Sequence, residues 1–482
     1  MVLTEKNKQN TLTYFCNNMK PFQIKVYVAL SDKQSSPSPA SRINAAMDRT
    51  VEPCYDFYQF ACGRWEERNP APEGAKSWEQ LDVVEDRLYR GLRMLLEEGD
   101  NEELPKSVVK AKALYKMCMD TGCEICPKCQ ELKIPFKDYV SKLKYTRKII
   151  ELCLKIKNML FAEKFVWWSV ISKVVDDLGF TFSEEVFEQI TPRWKHCTTY
   201  VNGKFGMALS YLYVRRHFDQ KSREKAIAML EDVRQAFSGA VIQLDWMDNS
   251  TRYKTINKLK AIRNLVGSPS LAEMLDTNYE DGKLFETHLK LTNASFTKTL
   301  ESLREKPDRN RWIVPPTTVN AFYSDRLNSV IIPAAILQSP LTENGIEAIN
   351  YGSIGAIMGH EVTHGFDDQG MQFDEHGNLK QWWSAATLDH YDGKVQCFID
   401  QYNQYHMAQF PNYTVNGSNT QGENIADNGG LRAALHAYNS FSTRNASIRK
   451  DRLPSMEQYT PQQLFFLGFA QVKKLSYPQF TL

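Results

Sequence analysis

The stretch Gly359-His360-Glu361-Val-Thr-His364-Gly365 constrains this chain more than any other. On a helix, His360 and His364 sit one turn apart on the same face, where two imidazoles can bind a single Zn²⁺. Glu361, the next residue, can then reach a water held by the metal. Zinc lowers the pKa of such a water, and the carboxylate takes its proton as the hydroxide attacks a peptide carbonyl. The bland alternative is a surface helix with two solvated histidines. Gly355, Ala356, Ile357 and Met358, just upstream, instead mark a buried helix. Two histidines and a glutamate would be costly there without partners.

Catalytic zinc keeps three protein ligands and one open position. The segment Gly422-Glu423-Asn-Ile-Ala-Asp427-Asn-Gly-Gly430 supplies the third. Glu423 and Asp427 are again one helical turn apart, so Glu423 can bind zinc while Asp427 accepts the free N–H of a ligating histidine. Alone, this would read as an acidic first turn favoured by the helix dipole; beside the histidine motif, the ligand reading wins. One Zn²⁺ per chain is expected. Asp367 or Asp368, just past the second histidine, either orients it likewise or is a solvated acid at a helix end. Upstream, Val319-Asn320-Ala321-Phe322-Tyr323 predicts a strand. An exposed strand edge is the usual way to hold an extended peptide near such a metal, and Asn320 could add side-chain bonds. Taken alone, these residues read as plain sheet.

The chain has 482 residues, 42% apolar and 24% charged, with a formal net charge of +2. That is ordinary globular composition, with no field to draw nucleic acid or an anionic membrane. No run approaches the ~18–20 continuous apolar residues of a membrane helix, and no signal peptide is readable, which alone argues for the cytosol. Ten cysteines and five Asn-x-Ser/Thr acceptors, at Asn249, Asn293, Asn412, Asn416 and Asn445, argue for a secreted chain. Residues 1–50 read as a mobile tail, 51–120 as the first part of a catalytic domain, 121–265 as a reduced helical domain and 266–482 as the rest of the catalytic domain. Amphipathic helices are expected across 165–265, strands at Val319–Tyr323 and Ser329–Ile332, and helices at about 350–366, 385–409, 423–441 and 460–472. Cys123-x-x-Cys126-x-x-Cys129 has the look of half a zinc knuckle, with no second pair nearby.

Together these residues resemble the neprilysin/endothelin-converting-enzyme family. The likeness rests on Val319-Asn-Ala-Phe-Tyr323, Pro333-Ala-Ala-Ile-Leu337, Gly359–Asp368, Gly422–Gly430 and Phe465-Phe-Leu-Gly-Phe-Ala-Gln-Val472, with Pro53–Gly63 and Tyr200-Val-Asn-Gly203 upstream. The resemblance implies a mainly α fold with a small β-sheet, a thermolysin-like (gluzincin) catalytic domain plus a helical domain. It implies a zinc endopeptidase acting on small peptides at the extracellular face of the plasma membrane or after secretion. By the same resemblance Glu361 is the base, Asp427 partners a ligand histidine, and Asn320 with Ala321 bind substrate backbone; oligomeric state is left open. Three departures stand out: no N-terminal anchor, a short interval from Cys118 to Cys197, and an early end after Val472. They predict a shortened form with weak or no activity; the alternative is a peptide- or partner-binding protein that keeps the zinc. Cys118 and Cys197 match a family pair, whereas Cys54, Cys62 and Cys397 are expected to be unpaired.

Overall fold

The computed structural model describes residues 38–72, 75, 77–99, 104–119, 192–271, 274, 291, 297–306, 308–338, 346–407, 410–445, 452–472 and 475–476. The triple-cysteine motif at 123–129, the rest of the expected helical domain up to residue 191 and Asn293 lie outside them. The described residues are mainly helical with small sheets, as expected, and fall into two units. One comprises Met1–Gly91, Gly206–Asp276 and Glu305–Leu482; the other comprises Leu92–Phe205 and Thr277–Arg304.

The second unit contains the end of helix α3 (Gln80–Glu97), helix α4 (Lys106–Met119) and the start of helix α5 (Arg193–His217). Leu92, Leu96, Val108, Leu114 and Val201 are buried in it. Cys118 and Cys197 are joined by a disulfide. The open carbonyls at helix ends are met by cations: Arg193 donates to the Cys118 carbonyl and Lys112 to that of Glu98, at 2.9 and 2.8 Å. Helix α5 carries a non-helical residue at Phe205 (φ −123°, ψ 31°), where the chain passes to the other unit.

The described part of the larger unit starts with helix α1 (Pro39–Ala46), inside the segment expected to be a tail. Ser38 accepts from the Ser41 N–H and Pro39 occupies the first turn, both helix-start signals. Ala40, Ile43, Ala46 and Met47 are buried, so apolar spacing overrides the Ser/Pro-rich composition. Helix α2 (Phe57–Cys62) follows, with Asp56 as its cap. Cys54 is disulfide-bonded, against expectation, since pairing cannot be read from spacing. Cys62 keeps a buried thiol that donates to the Ala470 carbonyl, and Cys397 is an exposed free thiol.

Helices α6 (Gln220–Ile242) and α7 (Asn249–Ala261) lead into strand β2 (Arg263–Gly267), which follows β1 (Trp78–Glu79) in chain order. Arg263-Asn-Leu-Val-Gly267 runs on from α7 with only Ile262 between, so it reads as part of the helical block. Strand β3 (Phe322–Ser324) starts three residues later than predicted, because the Asn320 side chain takes the Ala321 N–H at 2.9 Å and holds a bend there. Strand β4 (Ser329–Pro333) is wholly buried and central: it pairs parallel with β2 and antiparallel with β3, leaving β3 at an edge of the sheet among the described residues.

The predicted 350–366 helix is three pieces: α8 (Glu347–Asn350), a π-turn over Tyr351–Gly355, and α9 (Ala356–His364). Helix α10 (Ala385–Tyr402) ends short of 409, and the hairpin β5 (His406–Met407) and β6 (Phe410–Thr414) takes its place. Helices α11 (Gln421–Arg444) and α12 (Pro461–Val472) complete the core, and β7 (Leu475–Ser476) pairs with β1. The core joins Leu230, Val233 and Phe237 of α6, Val330 and Ile332 of β4, Met358 and Val362 of α9, Ala434 and Tyr438 of α11, and Leu464 and Phe465 of α12. Each such aliphatic or aromatic side chain contributes about 1.5–3 kcal/mol by leaving water.

One carboxylate ties two of these helices. Asp248 caps α7 through the Ser250 and Thr251 N–H groups, and its other oxygen accepts from Ser384 Oγ and Thr387 Oγ1 at the start of α10, both at 2.5 Å. These bonds, led by that of Ser384, hold the Asp248 carboxyl well below the usual carboxylate range. A depressed pKa means that the unfolded chain takes up the proton first. The stabilisation is therefore complete above the ordinary aspartate pKa of about 4 and is lost as pH falls below it. Asp248→Asn is expected to lower the urea midpoint at neutral pH, with the two chains converging in acid. A gap of equal size at both would show that charge plays no part.

Candidate metal centre

Helices α9 and α11 cross at their glycines. A Cβ on Gly359 would lie 2.5 Å from the Gly430 carbonyl oxygen, and one on Gly430 would collide with the His360 backbone nitrogen. Glycine inside a helix costs about 1 kcal/mol against alanine. Here it lets two backbones touch, which brings the first turn of α11 level with the histidines of α9. Gly429 serves the same contact, meeting the Thr363 side chain.

At that crossing the donor atoms converge. His360 Nε2 and His364 Nε2 are 2.9 Å apart, and Glu423 carboxylate oxygens lie 3.3 Å from the first and 3.8 Å from the second. Among the described residues this is the one group of three or more His, Cys, Asp or Glu side chains with ligand atoms so close together. The residues fit zinc. The set is two imidazoles and a carboxylate, and a tetrahedral ion with bonds of about 2.0–2.1 Å holds its donors roughly 3.4 Å apart. Both remaining imidazole nitrogens are engaged: His360 Nδ1 with Asp427 at 2.8 Å and His364 Nδ1 with Asp367 at 2.6 Å. If each Nδ1 carries the hydrogen, each Nε2 is left with a lone pair facing the common point.

Of the two aspartates past the second histidine, Asp367 is the one hydrogen-bonded to it. Asp367, 4% exposed, binds His364 with one oxygen and accepts the Gln369 and Gly370 N–H groups with the other. Asp368 turns away and accepts from Gln421 Nε2 at 2.8 Å, linking the exit of α9 to the start of α11.

The charges are arranged around the histidines. Burial works to lower His360, but hydrogen bonds to Asp427 and Glu423 and the nearby Glu361 outweigh it and lift the metal-free imidazole to about 9. Burial likewise opposes, and the Asp367 bond favours, the raised pKa of His364. The His360 hydrogen bond holds Glu423 below its ordinary value. Glu361 is 6% exposed, and burial pushes its carboxyl up, against the pull of both histidines and a backbone bond from Tyr323.

That bond marks where β3 runs relative to Glu361. Asn320 is exposed in the bend before β3 and Ala321 is buried, with its N–H turned to the Asn320 side chain. The Tyr323 hydroxyl donates to Asn328 Oδ1 at 2.7 Å, and a Cβ on Gly365 would lie 3.2 Å from its ring. Asn328 is fully buried and has a positive φ of 44°. Sequence reasoning missed Asn328, the glycine crossing, and Lys258 of α7, whose ammonium is buried beneath the exit of α9. For the glycines a signal existed: glycine in a helical pattern marks close packing.

Comparisons with known proteins place the chain in a family. The model of Peptidase family M13 matches residues 320–478, and that of the family's N-terminal part matches 53–144 and 131–269. The chain is 40% identical over 288 residues to an endothelin-converting enzyme homolog of Locusta migratoria, covering 58% of this chain and 39% of the relative. It is 34% identical over 355 residues to endothelin-converting enzyme 1 of Homo sapiens, covering 70% of this chain and 44% of the relative. The chain thus spans less than half the length of these curated relatives. The zinc metalloprotease Zmp1 of Mycobacterium tuberculosis superposes over 92% of either chain with a TM-score of 0.66 at 20% identity, a likeness of fold. The helices, the small sheet and the sequence matches lead to one assignment: this chain belongs to peptidase family M13, the zinc metallopeptidases of the neprilysin/endothelin-converting-enzyme type.

Proposed function

We propose that this chain is a zinc-dependent metalloendopeptidase that hydrolyses peptide bonds of small peptides. The observation that carries the reading is the meeting of His360, His364 and Glu423 from two helices beside the buried carboxylate of Glu361. These three side chains would hold one Zn²⁺. When bound, the ion supplies Lewis-acid polarisation and acidifies water. Glu361 accepts the proton of the attacking water on its carboxylate and passes it to the departing amine. Its burial suits that task, because a carboxyl raised above its ordinary range holds the proton longer. Asp427 and Asp367 keep the two imidazoles in the tautomer and orientation that point Nε2 at the metal.

The edge position of β3 supports a role in holding substrate. An extended peptide can lie along an edge strand by main-chain hydrogen bonds, with Asn320 and Ala321 at its entry. The Cys118–Cys197 disulfide supports an oxidising compartment, either secreted or on the extracellular side of a membrane. No helix of the described residues is long and apolar enough to cross a membrane.

The test is a quenched-peptide assay with zinc content measured alongside. Glu361→Gln is expected to lower kcat by about 10²–10⁴-fold while zinc content stays at one per chain. Equal slow rates in both chains, with zinc retained, would sink the catalytic reading and favour a peptide-binding role. Asp427→Asn is expected to weaken zinc binding by about 10–100-fold in a chelator competition, with the fold intact by circular dichroism. Unchanged affinity would remove Asp427 from the site.

A further inference from the structure

Lys258 is 1% exposed and lies on α7, outside the site described above. Its ammonium donates to three backbone carbonyls: Gly365 at 2.7 Å, Gly370 at 2.6 Å and Phe373 at 2.7 Å. An ammonium has three protons, and all three are spent on one short segment. The Phe366 and Trp382 rings flank the nitrogen at 5.4 and 5.7 Å, so that the charge sits against π faces. Burial pulls the amine down to about 8, against the attraction of Asp325, Asp367, Asp374 and Glu375, which leaves it mainly protonated at neutral pH.

The three acceptors are not scattered. Gly365 directly follows His364, and its carbonyl lies at the negative end of α9, where a cation is favoured. Gly370 is held on both sides: its N–H by Asp367 Oδ1 at 2.7 Å, its carbonyl by Lys258. The other oxygen of Asp367 receives His364 Nδ1. The path from the ammonium to the imidazole thus runs through one residue, Gly370, and one carboxylate. On its other side, the Lys258 carbonyl accepts from Asn328 Nδ2 at 3.3 Å, and Asn328 Oδ1 accepts the Tyr323 hydroxyl of the edge strand.

We propose that Lys258 is a positioning residue of the metal centre: by gathering the carbonyls of residues 365, 370 and 373 it fixes Asp367, and through Asp367 the His364 ring. The inference rests on the zinc reading given above. Three side-chain carbons and the amine vanish in Lys258→Ala, and n-propylammonium has the size and donors to fill the gap.

The experiment uses the full chain with cobalt(II) as a spectroscopic probe and zinc in chelator competition. Lys258→Ala and Lys258→Met are expected to fold and to bind zinc about 10–100-fold more weakly, as the loss of an outer partner of a metal ligand does. Their cobalt d–d spectra are expected to shift from that of the unaltered chain. n-Propylammonium restores both readouts in Lys258→Ala, while n-propanol does not. Adding Asp367→Asn to Lys258→Ala produces little further loss, because both act through one path. Folded variants with unaltered affinity and spectrum overturn the proposal, as do fully additive losses. Failure of both variants to fold also overturns it, since Lys258 would then be a scaffold residue. A failure of the unaltered chain to bind cobalt or zinc instead overturns the metal reading, and this inference with it, and is seen before any variant is made.

Discussion

The candidate centre depends on a steric constraint more than on any single bond. Two helices must approach until their backbones touch, and only hydrogen at Gly359 and Gly430 permits it. A helix pair with ordinary side chains at its crossing is 8–10 Å apart by axis. At such a separation Glu423 and Asp427 would be carried away from His360, and the carboxylates would face solvent as an acidic first turn. The histidine helix also leaves regular geometry just upstream. The π-turn at Tyr351–Gly355 adds a residue to one turn, and Gly352 there lies against the Phe465 carbonyl of α12. Insertions of this kind are frequent beside functional sites because they re-aim the turns that follow.

Electrostatics then makes the assembled group self-consistent. Two imidazoles packed edge to face at 4.5 Å between centroids would repel if both were charged and alone. Asp427, Asp367, Glu423 and Glu361 surround them, so each imidazolium would have a carboxylate partner. The same carboxylates are what a dication needs around neutral imidazoles.

What was legible in the sequence followed from side-chain chemistry at helical spacing. His360, Glu361 and His364 declare themselves by type and interval, and Glu423 with Asp427 repeat the interval on a second helix. The mainly helical class, the β3–β4 hairpin and the four C-terminal helices were legible from periodicity. Other features left no such mark. Helix α1 was hidden by its Ser/Pro-rich composition, β2 by running straight on from a helix, β5 by having two residues and β6 by the proline within it. The start of β3 turned on a side-chain bond of Asn320 that competes with the ladder. The choice between Asp367 and Asp368 needed the direction of each side chain, which neighbouring positions on a turn do not reveal.

Lys258 shows why the last class of residue escapes a reading by type. Its partners are peptide carbonyls, which every residue carries, so no complementary side chain betrays the contact. In sequence it is one lysine among several on a charged helix, and the solvated reading is the natural one. Only the fold turns it inward, beneath the exit of α9. There one charge answers both the helix dipole and the surrounding acids. A buried cation whose three protons are all committed has a single low-energy arrangement. The segment it holds inherits that rigidity, and with it the Asp367 carboxylate that His364 leans upon.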